Sequence, residues 1–266
     1  LKKISRNKIN NKTVMYISLE PCFKKSSCCA KAIVKAGIKK VFISSLDPNP
    51  NIKGKGIDFL KKQKIKVFHS LKSTDRFKII NKFFYTYQTY NRPFITLKIA
   101  ISKNGFIKSP TLKNITSDQT QYFMHHLRLP HDAIAVGMNT VLDDKPKLTC
   151  RLQGISKNIA KLIFSNKEIK FKNYKLIIVD YKKTVTENFS LFKKLKTQSI
   201  LIEGGLNTFK YFLNCNLFDE VIVCQSNMTI KNASKKYFLL MKSITNNLIL
   251  KSSLKYGEDM IYKFTN

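Results

Sequence analysis

Strand-like and helix-like hydrophobic patterns alternate along the first third of the chain. Short apolar runs rich in β-branched and aromatic residues predict strands, and the runs between them have the spacing of short helices. Such a strand–helix alternation predicts a small, parallel three-stranded sheet. The predicted strands are 13–19, 40–45 and 65–68, and the predicted helices are 28–37, which ends at Gly37, and 57–63.

A period-2 pattern opens the segment that follows Pro93. Odd-numbered positions from 95 to 101 are all aliphatic, whereas even-numbered positions from 96 to 102 include Lys98 and two hydroxyl side chains. This alternation predicts a strand with one face in the core. The other face is either solvated or lines a pocket, and we expect Lys98 to face the pocket.

The remaining elements predict a second, larger α/β unit. Thr116 and Gln119 form a capping-box pattern before a helix that ends near Arg128, with Phe123, Met124 and Leu127 as its buried stripe. We expect a domain over residues 1–75, a linker over 76–92 and a second domain over 93–266. Further strands are predicted at 133–137, 162–165, 175–179, 199–205, 219–225, 247–253 and 259–264, and a helix at 206–215.

The charge is the most unusual feature of the composition. Lysine and arginine number 49 against 16 acidic residues, which gives a formal charge of +33, yet only five of the basic residues are arginines. Lysines spread over the whole chain, with abundant Asn and Ile, favour a codon-biased genome over a nucleic-acid surface, which uses clustered arginine more often. No apolar run reaches membrane-spanning length and no signal-peptide core is present, so we expect a cytoplasmic protein without a membrane partner.

Three of the six cysteines lie close together, at Cys22, Cys28 and Cys29. Cys22 follows a predicted strand, and Cys29 stands at the start of the next helix, where the helix dipole favours a thiolate. Two thiolates so placed are typical of a zinc site, although a catalytic site needs a third protein ligand and an open water position.

The same region resembles a known enzyme family. YISLEPC at 16–22, the downstream cysteine and AGIKKVFISSLDPNPNIKGKGIDFL at 36–60 resemble the deaminase domain of the bifunctional riboflavin-biosynthesis deaminase/reductases, which has a cytidine-deaminase-like fold. In that family two cysteines and the His of an upstream His-x-Glu motif hold zinc, and the Glu transfers protons. The resemblance implies zinc ligands at Cys22 and Cys29.

No His-x-Glu occurs in this sequence. The resemblance therefore implies an N-terminally truncated, partial deaminase domain in which the third ligand is absent and deamination is impaired. Cys22 and Cys29 are then either remnants of a broken site or part of a site completed by sequence that this chain lacks. A separately encoded chain that supplies the missing half is a further hypothesis.

The rest of the chain resembles the reductase domain of the same family, which has a dihydrofolate-reductase-like fold and uses NADPH. The matching stretches are PFITLKIAISKNGFI at 93–107, ITSDQTQYF at 115–123, DAIAVGMNTVLDDKPKLTCR at 132–151 and EGGLNT at 203–208. The sequence departs from the family where Lys103-Asn104-Gly105 replaces Leu-Asp-Gly and where Asn114 stands in place of a tryptophan.

The resemblance carries site roles onto individual residues. It implies a catalytic role for Glu203, and we expect the same of Lys98 because of its position on the polar face of its strand. It implies substrate contacts by Arg128, Leu148, Arg151 and Glu203. It implies cofactor contacts by Ala100, Asn114, Thr140, Asp144, Gly205, Leu206, Asn207 and Thr208.

Physical reasoning from the residues supports part of this assignment. Gly204 and Gly205 lie between a strand and a helix, where backbone N–H groups can approach a phosphate, although a simple turn is the commoner reason for a glycine pair. Arg128 and Arg151 persist as arginine in a lysine-rich chain, which suits planar, bidentate recognition of an anion. Alternatively, Arg128 faces solvent, and Asp144 is a turn residue before Pro146.

We therefore expect a reductase that transfers hydride from NADPH to C1′ of the ribosylamino group of a phosphorylated pyrimidine, 5-amino-6-(5-phosphoribosylamino)uracil, and opens the ribose to a ribityl chain. We also expect a homo-oligomer. The alternatives are the complete bifunctional enzyme, a basic nucleic-acid-binding protein and an inactive relic.

Overall fold

The chain forms two compact units, Leu1–Asn91 and Arg92–Asn266, and each unit has its own sheet and hydrophobic core. The computed structural model describes residues 9–10, 12–23, 28–155, 157–166, 175–178, 196–239, 241–246 and 248–266. Within these residues, no helix has the length and apolar character needed to cross a lipid bilayer. Of the segment predicted as a linker, residues 76–91 are largely helical and belong to the first unit, and Arg92 begins the second.

The first unit is built on a parallel sheet of three strands in the order β1-β2-β3, as the sequence pattern predicts. Apolar side chains of the first two helices pack with the inward-facing residues of the strands, including Ile33, Val41 and Leu60. The elements are β1 Val14–Leu19, α1 Cys29–Lys35, β2 Lys40–Ser45, α2 Lys55–Lys62, β3 Lys66–His69, α3 Leu71–Ile80 and α4 Lys82–Tyr90.

Glu20, which follows β1, organises the loop that leads into α2. Its side chain is 3% exposed, and each carboxylate oxygen accepts two backbone hydrogen bonds. The donors are the N–H groups of Asp47 and Gly54 for Oε2, and of Gly56 and Ile57 for Oε1. A buried carboxylate needs such partners, so the acidic residue of the YISLEPC motif is committed to holding the loop.

The second unit is an eight-stranded sheet in the order β10-β11-β9-β4-β8-β5-β6-β7. The strands from β9 to β7 pair in parallel, and β11 and β10 add an antiparallel edge. The strands are β4 Phe94–Ile101, β5 Ala133–Gly137, β6 Ala160–Ser165, β7 Lys175–Ile178, β8 Ser199–Glu203, β9 Glu220–Gln225, β10 Ile249–Tyr256 and β11 Asp259–Thr265. The helices are α5 Asp118–Arg128, α6 Met138–Asp144, α7 Leu206–Asn214, α8 Met241–Thr245 and a 3₁₀ turn at Lys235–Tyr237.

β4 lies in the middle of this sheet, so both of its faces are covered along most of its length. Thr96, on the face predicted to be polar, is fully buried, and its hydroxyl lies 3.0 Å from Nε2 of the buried His131. His131 Nδ1 in turn lies 2.8 Å from the carbonyl oxygen of Leu127 at the end of α5. Only Lys98 and Ala100, nearer the carboxyl end of β4, remain partly accessible.

The start of α5 differs from the predicted capping box. Ser117, one residue later than predicted, is the N-cap, and its Oγ accepts a hydrogen bond from the backbone N–H of Thr120. Thr116 Oγ1 instead accepts a 2.6 Å hydrogen bond from Gln121 Nε2. The buried carboxylate of Asp259 fixes the cap: Oδ2 accepts from both the backbone N–H and the hydroxyl of Ser117, at 2.8 and 2.9 Å.

We predict that Asp259→Ala lowers the free energy of unfolding by about 2 kcal/mol, because it leaves the Ser117 N–H without its acceptor. Urea denaturation followed by circular dichroism measures the change. Glu258→Ala, at the exposed neighbouring position, is the matched control and is expected to change stability by less than about 0.5 kcal/mol. Equal effects of the two substitutions would contradict a capping role for Asp259.

Candidate active site

The carboxyl ends of β4, β8 and β5 lie side by side at one edge of the larger sheet. Glu203 is the last residue of β8, and Gly137 is the last residue of β5. Lys98 of β4 is the register partner of Glu203. In open parallel sheets, ligands bind at this edge. Residues from three separate stretches of the chain therefore meet where a binding site is expected.

A two-pronged ion pair joins Glu203 to α5. Arg128 Nε donates to Glu203 Oε1 and Arg128 Nη2 donates to Oε2, both at 2.6 Å. The two side chains are only 14% and 10% exposed. A third bond runs from Arg128 Nη1 to the carbonyl oxygen of Thr149, at 2.8 Å. We call this arrangement the Arg128–Glu203 fork; its planar, charge-assisted geometry holds the carboxylate in one orientation.

The fork keeps Glu203 ionised. Burial alone raises the pKa of this carboxyl, but the hydrogen bonds and charge of Arg128, with the charge of Lys98, more than offset burial, so the pKa lies below its usual range. Arg128 gives each carboxylate oxygen one hydrogen bond, so each oxygen retains a lone pair. At neutral pH Glu203 is therefore a fixed anion and hydrogen-bond acceptor, and it is not a proton donor.

Segment 148–151 borders the fork. Leu148 has φ +46° and its side chain is 3% exposed within a core cluster, so a ligand can reach only its backbone. Arg151 is exposed, and its Nη1 lies 3.4 Å from Thr149 Oγ1. The sequence predicts bidentate anion recognition by both arginines. For Arg128 the anion in this structure is the protein's own Glu203, and contact of either arginine with substrate stays a prediction.

Two strand–helix turns pack together beside the fork and form a small hydroxyl-lined cradle. Gly205, with φ +77°, precedes α7, and a Cβ there would lie 3.0 Å from Thr140 Oγ1 and 3.4 Å from Thr208 Oγ1. A Cβ on Gly137, before α6, would overlap Thr208 Oγ1. Glycine is thus required at both turns, and the free backbone N–H groups at the start of α7 suit a phosphate.

Asn114 and Asp144, which also have predicted cofactor contacts, are not among the residues that form this cradle. Asp144 ends α6 and forms an ion pair with Lys108, Nζ to Oδ1 at 3.5 Å. Asn114 is exposed in the loop before α5. No hydrogen bond in the described part of the chain links Asn114 or Asp144 to the fork or the cradle. Leu206 and Asn207, in contrast, form the first turn of α7 together with Thr208.

The three clustered thiols of the first unit lie at the start of α1. Cys22, Cys28 and Cys29 are close enough to interact, and burial together with Cys22 raises the pKa of the Cys29 thiol. Cys28 is 2% exposed and packs in the core. Among the described residues, no three His, Cys, Asp or Glu side chains are grouped to hold a metal ion. The described residues therefore do not form a complete zinc site, and zinc ligation by Cys22 and Cys29 stays a prediction.

One face of the three-stranded sheet carries a row of exposed aromatic rings. Tyr16, Phe42 and Phe68 are register partners on adjacent strands, with stacked rings 4.9 and 4.8 Å apart. Tyr16 is 75% and Phe68 45% exposed. Lys40 Nζ lies over the rings of Phe42 and Phe68, at 5.2 and 5.3 Å from their centroids. Parallel sheets are normally buried on both faces, so the exposure of these rings is unusual.

Residues 93–262 match the family model of the RibD C-terminal domain. The chain belongs to the RibD family. It is 29% identical to the riboflavin biosynthesis protein RibD of Aquifex aeolicus, over 94% of this chain and 80% of the relative. It is 30% identical to RibD of Buchnera aphidicola, over 85% of this chain and 73% of the relative.

The fold agrees with this membership. A Thermotoga maritima deaminase/reductase structure, 24% identical, superposes with a TM-score of 0.77 and covers 94% of this chain and 78% of its own length. The second unit therefore has the dihydrofolate-reductase-like fold of RibD reductase domains. For the first unit the likeness extends to the fold, and deaminase activity does not follow from it.

Two contributors to the site were not predicted from sequence. His125 lies beside the fork, and Gly137 shapes the cradle. His125 is detectable in principle, since it precedes Arg128 by one helical turn and so shares its face of α5. The packing of Gly137 against Thr208 has no local signal because the two residues are far apart in sequence.

We predict that Glu203→Gln lowers the free energy of unfolding by about 3 kcal/mol at pH 7, because it leaves the Arg128 charge buried without its partner. The pKa of Glu203 is lower in the folded protein than the ordinary value of 4.5. The stability it provides is therefore complete above pH 4.5 and is lost as the pH falls through the folded pKa.

Urea titrations between pH 3 and 7 test this expectation. The wild type should lose stability below about pH 4.5, and Glu203→Gln should lose less over the same range. Glu258→Gln, which removes an exposed carboxylate, should follow the wild type. Parallel pH profiles for wild type and Glu203→Gln would show that the fork does not stabilise the fold.

Proposed function

We propose that the second unit reduces 5-amino-6-(5-phosphoribosylamino)uracil with NADPH in riboflavin biosynthesis. The observation that carries the proposal is the position of the buried Arg128–Glu203 fork and the glycine cradle at one edge of the sheet, within residues that match the RibD C-terminal domain. The Thermotoga maritima relative is named as a reductase of this substrate.

The cradle would hold the cofactor. Backbone N–H groups of Leu206, Asn207 and Thr208 are free at the first turn of α7, and a helix N-terminus favours a phosphate group. The hydroxyls of Thr140 and Thr208 add donors at the cradle wall. NADPH supplies the hydride when bound.

The fork would act on the sugar. As the bond from C1′ to the ring oxygen opens, C1′ becomes electron-poor, and the fixed Glu203 carboxylate stabilises that developing charge. A hydride adds to C1′ and a proton reaches the departing ring oxygen. We propose Lys98, the register partner of Glu203 on β4, as the proton donor and Arg151 as a contact for the substrate phosphate.

The direct test is NADPH oxidation followed at 340 nm with and without the pyrimidine substrate. We predict substrate-dependent oxidation by the wild type and a KM for NADPH raised about tenfold or more by Gly205→Ala, because a methyl group there strains the turn and crowds Thr140.

Gly37→Ala is the matched control. Gly37 has φ +78°, but a Cβ there would meet no atom within 4 Å. This variant also places an alanine at a positive φ, but in the other unit, and should keep the KM for NADPH. Absence of substrate-dependent oxidation by the wild type would refute the proposed reaction.

Deamination is a separate matter for the first unit. We propose that the first unit does not deaminate by itself. We also propose that a separately encoded chain completes this unit by covering the row of aromatic rings. Tyr16, Phe42 and Phe68 support this, since an uncovered face is unusual for a parallel sheet. Homo-oligomer formation also stays a prediction.

The expected result is no ammonia release from the diaminopyrimidine precursor, with or without added zinc. NADPH oxidation by a Cys22→Ser, Cys29→Ser double variant should equal that of the wild type, since the reductase residues lie in the other unit. Zinc-dependent ammonia release that disappears in the double variant would contradict the proposal.

A further inference from the structure

His125 connects the fork to the segment that carries Arg151. Its Nδ1 accepts a 3.2 Å hydrogen bond from the backbone N–H of Arg151 and lies 3.4 Å from Arg128 Nη1. The same segment makes a second contact with His125 through its backbone, since Cys150 Sγ lies 3.4 Å from the carbonyl oxygen of His125. His125 and Arg128 of α5 thus contact three consecutive residues of the site border, Thr149, Cys150 and Arg151.

The chemistry of these contacts fixes the state of the imidazole. A backbone N–H can only donate, so Nδ1 must present its lone pair and the proton must be on Nε2. Burial and the positive charges of Arg128 and Arg151 lower the pKa of His125, while a hydrogen bond with the backbone of Thr149 and the nearby Glu203 act in the opposite direction. The neutral Nε2–H form is therefore the one that the surroundings select.

Segment 148–151 has little else to orient it. It lies outside every helix and strand, and Leu148 holds an unfavourable left-handed backbone conformation. Four contacts fix it: Leu148 in the core, the Thr149 carbonyl on Arg128, the Cys150 thiol on the His125 carbonyl, and the Arg151 N–H on His125 Nδ1. Only the last of these acts on the residue whose long side chain is exposed and available to an anion.

We propose that His125 is a positioning residue for substrate binding, whose Nδ1 fixes the backbone of Arg151 so that the guanidinium points toward the phosphate of the pyrimidine substrate. This role rests on the proposed function, because it takes Arg151 as a substrate contact. In this proposed role His125 acts through Arg151 and makes no contact of its own with substrate or cofactor.

Three variants test the role in the NADPH oxidation assay. His125→Phe keeps a ring but removes the acceptor, and should raise the KM for the pyrimidine about tenfold while kcat and the KM for NADPH change by less than about twofold. His125→Asn restores an acceptor near the position of Nδ1 and should return the KM to within about threefold of wild type. His126→Phe makes the same change at the exposed next position and should match the wild type.

A double-mutant cycle separates positioning from general damage. Because His125 acts through Arg151, His125→Phe should add little to the KM of Arg151→Ala. An unchanged KM in His125→Phe, failure of His125→Asn to rescue, or full additivity with Arg151→Ala would each overturn the proposal while leaving the proposed reaction intact.

A spectroscopic measurement needs no turnover. Nitrogen-15 chemical shifts of the His125 ring in the free protein should show the Nε2–H tautomer at pH 7, and an Nδ1–H tautomer would overturn the contact itself. If the wild type shows this tautomer but oxidises no NADPH with the pyrimidine, the proposed function fails and the inference about substrate fails with it. If turnover is normal and the tautomer is wrong, only the inference fails.

Discussion

The pairing of one buried guanidinium with one buried carboxylate is the constraint around which the larger unit is arranged. Neither Arg128 nor Glu203 is stable in that position alone, because an unpaired charge at this depth is costly. Their partnership requires α5 to end against the carboxyl end of β8. The cap formed by Ser117 and Asp259 at the other end of α5 sets the start of that helix, and the buried His131 ties its last turn to β4.

Glu20 and Glu203 are both buried, but they differ in the number of hydrogen bonds that their carboxylate oxygens accept. Glu20 accepts four backbone hydrogen bonds, two on each oxygen, and has no capacity left for a ligand. Glu203 accepts two, both from a single side chain, and keeps a lone pair on each oxygen at the edge where ligands bind. The same residue type therefore fastens a loop in one unit and presents an oriented anion in the other.

Sequence patterns predicted most strands and the division into two α/β units, because period and turn residues are local signals. They placed the cap of α5 one residue early, since Thr116 and Ser117 are both capable caps and the choice depends on Asp259, which is distant in sequence. The candidate site was predictable where a motif or a rare arginine marked it. The pairing of Arg128 with Glu203 was not, because only the folded sheet brings residues 75 positions apart together.

The position of β4 in the sheet has a consequence for the order in which this protein assembles. β4 is the first strand of its unit to be synthesised, yet its two neighbours are β8 and β9, which begin at Ser199 and Glu220. The centre of the sheet therefore cannot pair until most of the chain has left the ribosome, and contacts between such distant segments form slowly. Until then β4, which carries Lys98, has no partner strand on either side. The edge of the sheet that carries the site is therefore among the last parts of the molecule to form.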